Sequence, residues 1–359
     1  MRVLIPDGES GHAIAVAQSL LLNEEVELYI MAQKKNPPSK FLKGCKAFKW
    51  IETTDEKSYL ESILKFAFVH KVNIILPIDE ASGKVFSQYK DYVEKFIPII
   101  PLPELETFHL VTNKRLLAEF CIKNEIPVPM SWKLSEFNKE LQVNDVQLFP
   151  TIIKPECGNG GKNIQLIKSK EEYLEIDFES LNKDFGDYFV QEFIEGYDID
   201  MSVLCMNGQI KAYTIQKALL GRKSKFAAAA GIEFLENNEL KKVVEKLMLQ
   251  LCYSGIAHLD LRFDKKTNEY KLIEINSRFW GSLLGSTKAG VNFPYLCCKV
   301  RFNEEFEIPK YSKNRYFDIF SLLKRPYFFR DYNVKIKETN ANFLFNGFLA
   351  NAVNVFNRG

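Results

Sequence analysis

A chain of 359 residues, 46% hydrophobic and 26% charged, is ordinary for a globular protein and too long for one small core, so two or three subdomains are expected. Its formal charge of +2 gives no reason to expect nucleic acid or an acidic surface as partner. Seven cysteines, an odd number without CxxC spacing, argue against a disulfide framework or a zinc site.

The chain opens on a strand, Val3-Leu-Ile5, with no long apolar leader, and no window reaches the eighteen or so unbroken apolar residues of a membrane span. A cytoplasmic protein without a transmembrane segment is expected. Strands at Val26 to Met31 and Asn73 to Pro77 alternate with helical patterns at His12 to Asn23 and Ser58 to Lys71, which is the signature of a parallel sheet flanked by helices. The first turn, Pro6 to His12, has two glycines but not the GxGxxG spacing of a dinucleotide site. Asp79-Glu80, after the Asn73 strand, reads as a helix start that could also hold an amine. Pro98, Pro101 and Pro103 mark a boundary. The spacing then predicts a helix over Thr112 to Asn124, with Thr112 as N-cap and Lys114 in the first turn, where anions are favoured.

Phe149 to Lys154 reads as a strand, Pro155-Glu-Cys-Gly-Asn-Gly-Gly161 as a loop, and Lys162 to Lys168 as a strand again. Three glycines in four residues let backbone amides turn towards a phosphate, and Lys154 at the entrance adds a point charge. A Walker A loop is excluded, because no GK[ST] is present and a strand follows. The bland alternative is a flexible hairpin loop. Tyr188 to Ile194 is a strand, and Asn207-Gly208 joins the strands Asp200 to Met206 and Gln209 to Gln216 as a tight hairpin. From Met201 to Ile232 there is no acidic residue, while Lys211, Lys217, Arg222, Lys223 and Lys225 are basic. That run is a solvated loop or, beside a phosphate site, a lid. Glu239 to Tyr253 is an amphipathic helix with Val243, Val244, Leu247, Met248 and Leu251 buried. After residue 301 the pattern weakens, and an apolar helix candidate over Asn340 to Phe356 suggests packing rather than chemistry.

Chemistry concentrates in the strands Ile256 to Phe263 and Tyr270 to Asn276. With period two, His258, Asp260 and Arg262 share one face of the first, and Leu272, Glu274 and Asn276 one face of the second. Pairing Asp264 with Tyr270 sets Asp260 opposite Glu274 and His258 opposite Asn276. Like charges directly opposed repel, so the pair calls for a cation, and oxygen ligands of this kind suit Mg²⁺. Arg278 adds a fixed positive charge. An amphipathic hairpin that happens to carry charges outward is the alternative.

Glu274-Ile-Asn-Ser-Arg-Phe-Trp-Gly-Ser282 resembles the metal-binding end of the ATP-grasp superfamily, and the carbamoyl-phosphate-synthase-like carboxylate–amine ligases look closest. The resemblance covers roughly residues 1 to 300. It implies a mixed α/β and α+β fold: a parallel α/β (pre-ATP-grasp) domain at 1–103, a small ATP-grasp lobe at 104–186, a large lobe with antiparallel sheet and metal site at 187–300, and an extension at 301–359 packed on it. Residue by residue, the resemblance matches Lys114 and Lys154 to the phosphate-contacting lysines and Gly158, Gly160 and Gly161 to the closing loop. Gln191, Glu192 and Ile194 match the adenine strand and Asp198 the ribose acid, more often Glu in the family. Asp260, Glu274 and Asn276 match the Mg²⁺ ligands, the first being Glu in many relatives, and Mn²⁺ is the natural substitute. Arg278 matches the arginine by the transferred phosphate and, with Lys154, the catalytic group. Ser277 stands where several relatives have Pro. Lys217, Arg222, His258 and Arg262 are candidates to face the acceptor substrate, with a packed sheet residue as the alternative for His258. The implied reaction activates a small-molecule carboxylate as an acyl phosphate, with ATP going to ADP and phosphate, for attack by an amine. A homodimer is compatible with it. A phosphotransferase and a non-catalytic ATP-binding protein are the alternatives, and a complete carbamoyl-phosphate enzyme is disfavoured by length.

Overall fold

The computed structural model describes residues 1–143, 148–158, 161, 163–185, 187–220 and 229–346. Its first sheet has four parallel strands, β1 (Arg2–Ile5), β2 (Glu27–Ala32), β3 (Cys45–Trp50) and β4 (Ile74–Ile75), in the order β3-β2-β1-β4. Helices α1 (Ala13–Leu20), α2 (Glu56–Val69) and α3 (Glu80–Gln88) connect or follow them. The near-continuous apolar runs of β1 and β2 are buried, as strands covered on both faces require. β3 was invisible in the sequence because Cys45-Lys-Ala-Phe-Lys-Trp50 is half exposed at a sheet edge. The strand expected over Asn73 to Pro77 shrinks to β4, whose other edge meets Ile99 through a single bridge. The first turn is a strand-to-helix connection whose Asp7 carboxylate accepts hydrogen bonds from Ile78 N and Asp79 N, both at 2.9 Å, and from Ser82 Oγ.

Helices α4 (Leu105–Thr112) and α5 (Lys114–Lys123) follow the proline-marked stretch. Thr112 therefore ends one helix instead of capping the next. The cap is Asn113, whose Oδ1 accepts from Arg115 N at 3.1 Å and Leu116 N at 2.9 Å. The small sheet runs β5-β8-β6-β7 and is antiparallel: β5 (Ser131–Lys133), β6 (Thr151–Pro155), β7 (Gln165–Ile167) and β8 (Tyr188–Glu192). Phe137, Ile153, Ile167, Tyr173 and Val190 form its core.

The large sheet is antiparallel, ordered β13-β12-β9-β10-β11-β14: β9 (Gly196–Met206), β10 (Gln209–Leu220), β11 (Gly231–Phe234), β12 (Gly255–Asp264), β13 (Glu269–Asn276) and β14 (Arg315–Phe317). Asn207 (φ 49°) and Gly208 (φ 79°) make the β9–β10 turn, both in the left-handed region that a two-residue hairpin demands. On one face, Leu240, Val244, Leu247 and Met248 of α6 (Asn238–Gln250) bury against Val203, Ala257, Leu259 and Leu261. The other face is polar. It carries Asp198, Asp200 and Ser202 from β9, Thr214 and Gln216 from β10, and His258, Asp260 and Arg262 from β12, set opposite one another by the strand register.

The β12–β13 register differs from expectation near the turn and agrees at the acids. Asp264 pairs with Glu269, not Tyr270, and a bulge between Leu272 and Glu274 absorbs one residue, so Asp260 still faces Glu274 and His258 faces Asn276. The bulge also turns Leu272 over, into the core beside Ile275, because two residues of the bulged strand oppose one of its partner. The described residues after 301 pack on the rest. β14 extends the large sheet, Gln18 Nε2 donates to Phe343 O at 2.7 Å, and Lys288 Nζ donates to Lys337 O and Thr339 O, both at 2.7 Å. Of the apolar helix expected over 340–356, Ala341–Asn346 is described. Among the described residues no helix is long and apolar enough to cross a membrane.

Candidate active site

Two lysines from different elements converge on the acidic hairpin. Lys114, at the start of α5, is buried; its Nζ donates to Gly158 O at 2.5 Å and lies 3.4 Å from Glu274 Oε2. Its backbone N–H donates to Glu156 O at 2.8 Å. Arg115 and Asn113 hold the Glu156 carboxylate as well, so the helix start and the entrance of the glycine loop are one unit. Lys154, on β6, is also buried, with its ammonium 5.4 Å from the centre of the Phe189 ring. Burial pulls Lys154 down to about 8, partly resisted by the negative Glu274 and aided by Lys114. Gly158 (φ 116°) and Gly161 (φ 69°) take left-handed backbone, and a Cβ on Gly158 would meet nothing within 4 Å. The backbone at Gly158 is thus open to close approach by a ligand. Gly160 lies outside the described residues.

Asn276 Nδ2 lies 3.4 Å from Asp260 Oδ2 and 3.3 Å from Glu274 Oε1, while its Oδ1 accepts from Arg278 Nη2 at 3.1 Å. Burial and the facing Glu274 push Asp260 well above the usual carboxylate range. Burial acts on Glu274 in the same direction, but Lys114, a hydrogen bond from Asp260 and Lys154 together hold it below its ordinary value. The opposite shifts express the cost of two like charges facing each other, which a shared proton relieves. A divalent cation satisfies the same need, and the donors (two carboxylates and an amide whose oxygen can replace its nitrogen) are the hard set that Mg²⁺ takes. Arg278 Nη1 lies 3.1 Å from His12 Nε2 and donates to Phe279 O at 3.0 Å. His12 thereby brings the first sheet's opening turn to the site. Glu80 joins it there, with burial raising its carboxyl against the pull of Arg278 and Lys114.

A second group surrounds the junction of β8 with the hairpin. Gln191 is buried, its Nε2 donating to Ser131 Oγ at 3.0 Å and its carbonyl accepting from Thr151 Oγ1 at 2.7 Å. The Glu192 carboxylate accepts from Met130 N at 3.2 Å and lies 3.4 Å from Lys271 Nζ. Arg262, read from the sequence as a residue facing the acceptor, instead ties this group together. Its Nε donates to Ile194 O at 2.7 Å, its Nη2 to Gly196 O at 3.0 Å, and its Nη1 to the Asp198 carboxylate.

Of the other three acceptor candidates, His258 stands on the polar face. Lys217 pairs in register with Ile199 on the reverse face, its ammonium 4.2 Å from the centre of the Tyr197 ring, and Arg222, with the lid expected around it, lies outside the described residues. His258 Nδ1 is hydrogen-bonded to Ser202 Oγ at 2.9 Å, and its Nε2 is 3.3 Å from Asp260 Oδ1 and 3.9 Å from Asp200 Oδ2. Burial, reinforced by Arg278, drops the imidazole to about 3, so it is neutral. Asp200, which sequence reasoning passed over, is raised by burial to about 7 although Gln216 Nε2 donates to it at 3.2 Å. The signal for it lay in the alternation Asp198-Ile-Asp200-Met-Ser202, which puts all three polar residues on one face. A cavity of about 310 Å³, lined among others by Asp7, Glu9, Asp55, Glu56 and Asp79, opens beside the first sheet.

Residues 111–282 match the family model described as ATP-grasp domain. The chain is 23% identical to the D-aspartate ligase of Enterococcus faecium (strain Aus0004), over 72% of this chain and 66% of that protein. It is 28% identical to a carbamoyl-phosphate synthase of Methanobrevibacter smithii, over 65% of each. The match thus spans slightly less than two thirds of each curated relative. Among solved structures, N5-carboxyaminoimidazole synthetase from Staphylococcus aureus complexed with ADP superposes with a TM-score of 0.66 at 16% identity, covering 86% of this chain and 79% of that one. That likeness establishes the fold.

Proposed function

We propose, from the match of residues 111–282 to the ATP-grasp domain, that this chain is an ADP-forming carboxylate–amine ligase that activates a carboxylate as an acyl phosphate. The observation that carries the reading is the meeting of Lys114 and Lys154, from the helix and small sheet, with Asp260 and Glu274 on the large one. Polyphosphate, incoming carboxylate and transition state are all negative, so the demand is for placed positive charge more than for proton transfer. Lys114, Lys154 and the amides around Gly158, Gly160 and Gly161 would hold the phosphates, with Arg278 beside the transferred one. Gln191, Glu192 and Ile194 would line the adenine, and Asp198, braced by Arg262, the ribose. Asp260, Glu274 and Asn276 would hold Mg²⁺, or Mn²⁺ in its place, and that ion neutralises phosphate charge when bound. On this reading residues 1–103, 104–186 and 187–300 are the acceptor domain and the two lobes, with 301–359 packed against the last.

D-aspartate ligase and carbamoyl-phosphate synthase among the relatives support an amine-type acceptor, and the acidic cavity beside Asp79, near Arg278, suits a cationic amine. The test incubates the protein with Mg-ATP and pairs of carboxylic acids and amines, D-aspartate included, and follows ADP, inorganic phosphate and product mass. ADP and phosphate released together with a condensed product are expected. ADP formed without free phosphate would identify a phosphotransferase and overturn the reading.

A further inference from the structure

Asp260 presents its two oxygens to different neighbours: Oδ2 to Asn276 Nδ2 and Oδ1 to His258 Nε2. Beyond Oδ1 lies a set that the nucleotide chemistry does not use. Asp200, His258 and Asp260 offer one ligand atom each, all within 4.8 Å of one another. We propose that these three residues form a separate divalent-cation site, of the kind that takes Mn²⁺, Co²⁺ or Zn²⁺, which is filled without nucleotide and shares only Asp260 with the phosphate-side ligands.

His258 stands at a ligand-to-ligand distance from both acids. Atoms bound to one ion at about 2.1 Å stand roughly 3.0 Å apart when cis and about 4.2 Å apart when trans. His258 Nε2 is 3.3 Å from Asp260 Oδ1 and 3.9 Å from Asp200 Oδ2, inside that interval. Each ligand is also oriented from behind, as metal ligands require. Ser202, fully buried, occupies Nδ1 of His258 and leaves Nε2 facing the acids. Trp280 stacks on the imidazole at 5.5 Å and 12°, fixing its plane. Gln216 donates to Asp200 and itself accepts from Ser282 Oγ at 2.8 Å. Asp200 and Asp260 are directly opposed in the β9–β12 register, an arrangement that repels unless a cation lies between. The guanidinium that acts on His258 and Asp260, Arg278, is itself hydrogen-bonded to Asn276 Oδ1 and Phe279 O. An imidazole nitrogen selects borderline metals over Mg²⁺, which separates this set from the all-oxygen group of Glu274 and Asn276.

The experiment titrates Mn²⁺ into the full chain in nucleotide-free, magnesium-containing buffer. It follows the free-ion electron paramagnetic resonance signal and looks for ¹⁴N coupling in the bound ion. One equivalent bound with imidazole coupling is expected. His258→Gln should abolish the coupling, Asp200→Asn should weaken binding at least tenfold, and Glu274→Gln should retain both coupling and affinity. Circular dichroism checks that the variants fold, and Ser202→Ala gives a milder variant should either not. Absence of bound Mn²⁺, bound Mn²⁺ without nitrogen coupling, or loss only in Glu274→Gln would overturn the proposal. None of those results touches the ligase reading, which is judged by phosphate release.

Discussion

The large sheet and the small one contribute to the same site in opposite ways. On the large sheet three acids of the site sit on paired strands and are braced by neighbours: Asp200 by Gln216, Glu274 by Lys114 and Asn276, Asp198 by Arg262. The small sheet offers one buried lysine and a loop in which Gly158 has empty space around it. Fixed charge belongs where charge must be stabilised without reorganisation, and adaptable backbone belongs where a ligand must enter and be covered. The difference teaches that the rigid half is the half to break.

Glu274→Gln should therefore have the largest effect, lowering phosphate release on the order of 10³-fold while leaving the melting temperature nearly unchanged. Full turnover in that variant would dissolve the contrast. Lys154 tests the other side. Its depressed value of about 8 means that the free protein loses this charge as pH rises, whereas an anionic ligand favours the protonated amine. ATP binding should then take up a proton between about pH 8 and 10, weaken as pH rises, and lose that linkage in Lys154→Met. Calorimetry in buffers of different ionisation enthalpy reads the uptake; an unchanged proton count in the variant would move the effect elsewhere. Arg262→Ala should raise the KM for ATP about tenfold, the loss of charged hydrogen bonds to Asp198 and the Ile194 carbonyl, and leave kcat close to the parent. Asn113→Ala should be mildest, costing about 1 kcal/mol of stability through the lost helix cap and lowering the melting temperature by about 2–4 °C. A larger drop would mean that the contact of Asn113 with Glu156 steadies the loop as well.

Period two alone put His258, Asp260, Glu274 and Asn276 on facing strands, and the acids do meet. The route there was partly fortunate, since the turn pairs one residue earlier than expected and the bulge at Ile273 restores the register. Because Leu272 and Ile273 are both apolar, the hydrophobic pattern does not say which of them faces the core, and the bulge leaves no mark in it. The hairpin at Asn207-Gly208 and the stripe of α6 were legible because turn chemistry and helical spacing are local. Thr112 misled because Thr and Asn are both good caps and nothing local shows that a helix already occupies Leu105–Thr112. Arg262 was misplaced for a different reason: which of several polar neighbours a long side chain chooses depends on contacts some 65 residues away, such as Ile194 and Asp198.

Arg278 touches His12 from the opening turn, and the next residue, Phe279, donates its N–H to Ile78 O at 3.3 Å at the end of the first sheet. A fragment starting after Pro103 would keep Asp200, Asp260, Glu274 and both lysines of the centre, yet its guanidinium would have lost the histidine that steers it. The amino-terminal third is in this sense a rudder for one charge, and any ligand that tilts it would swing that charge relative to the phosphate it serves.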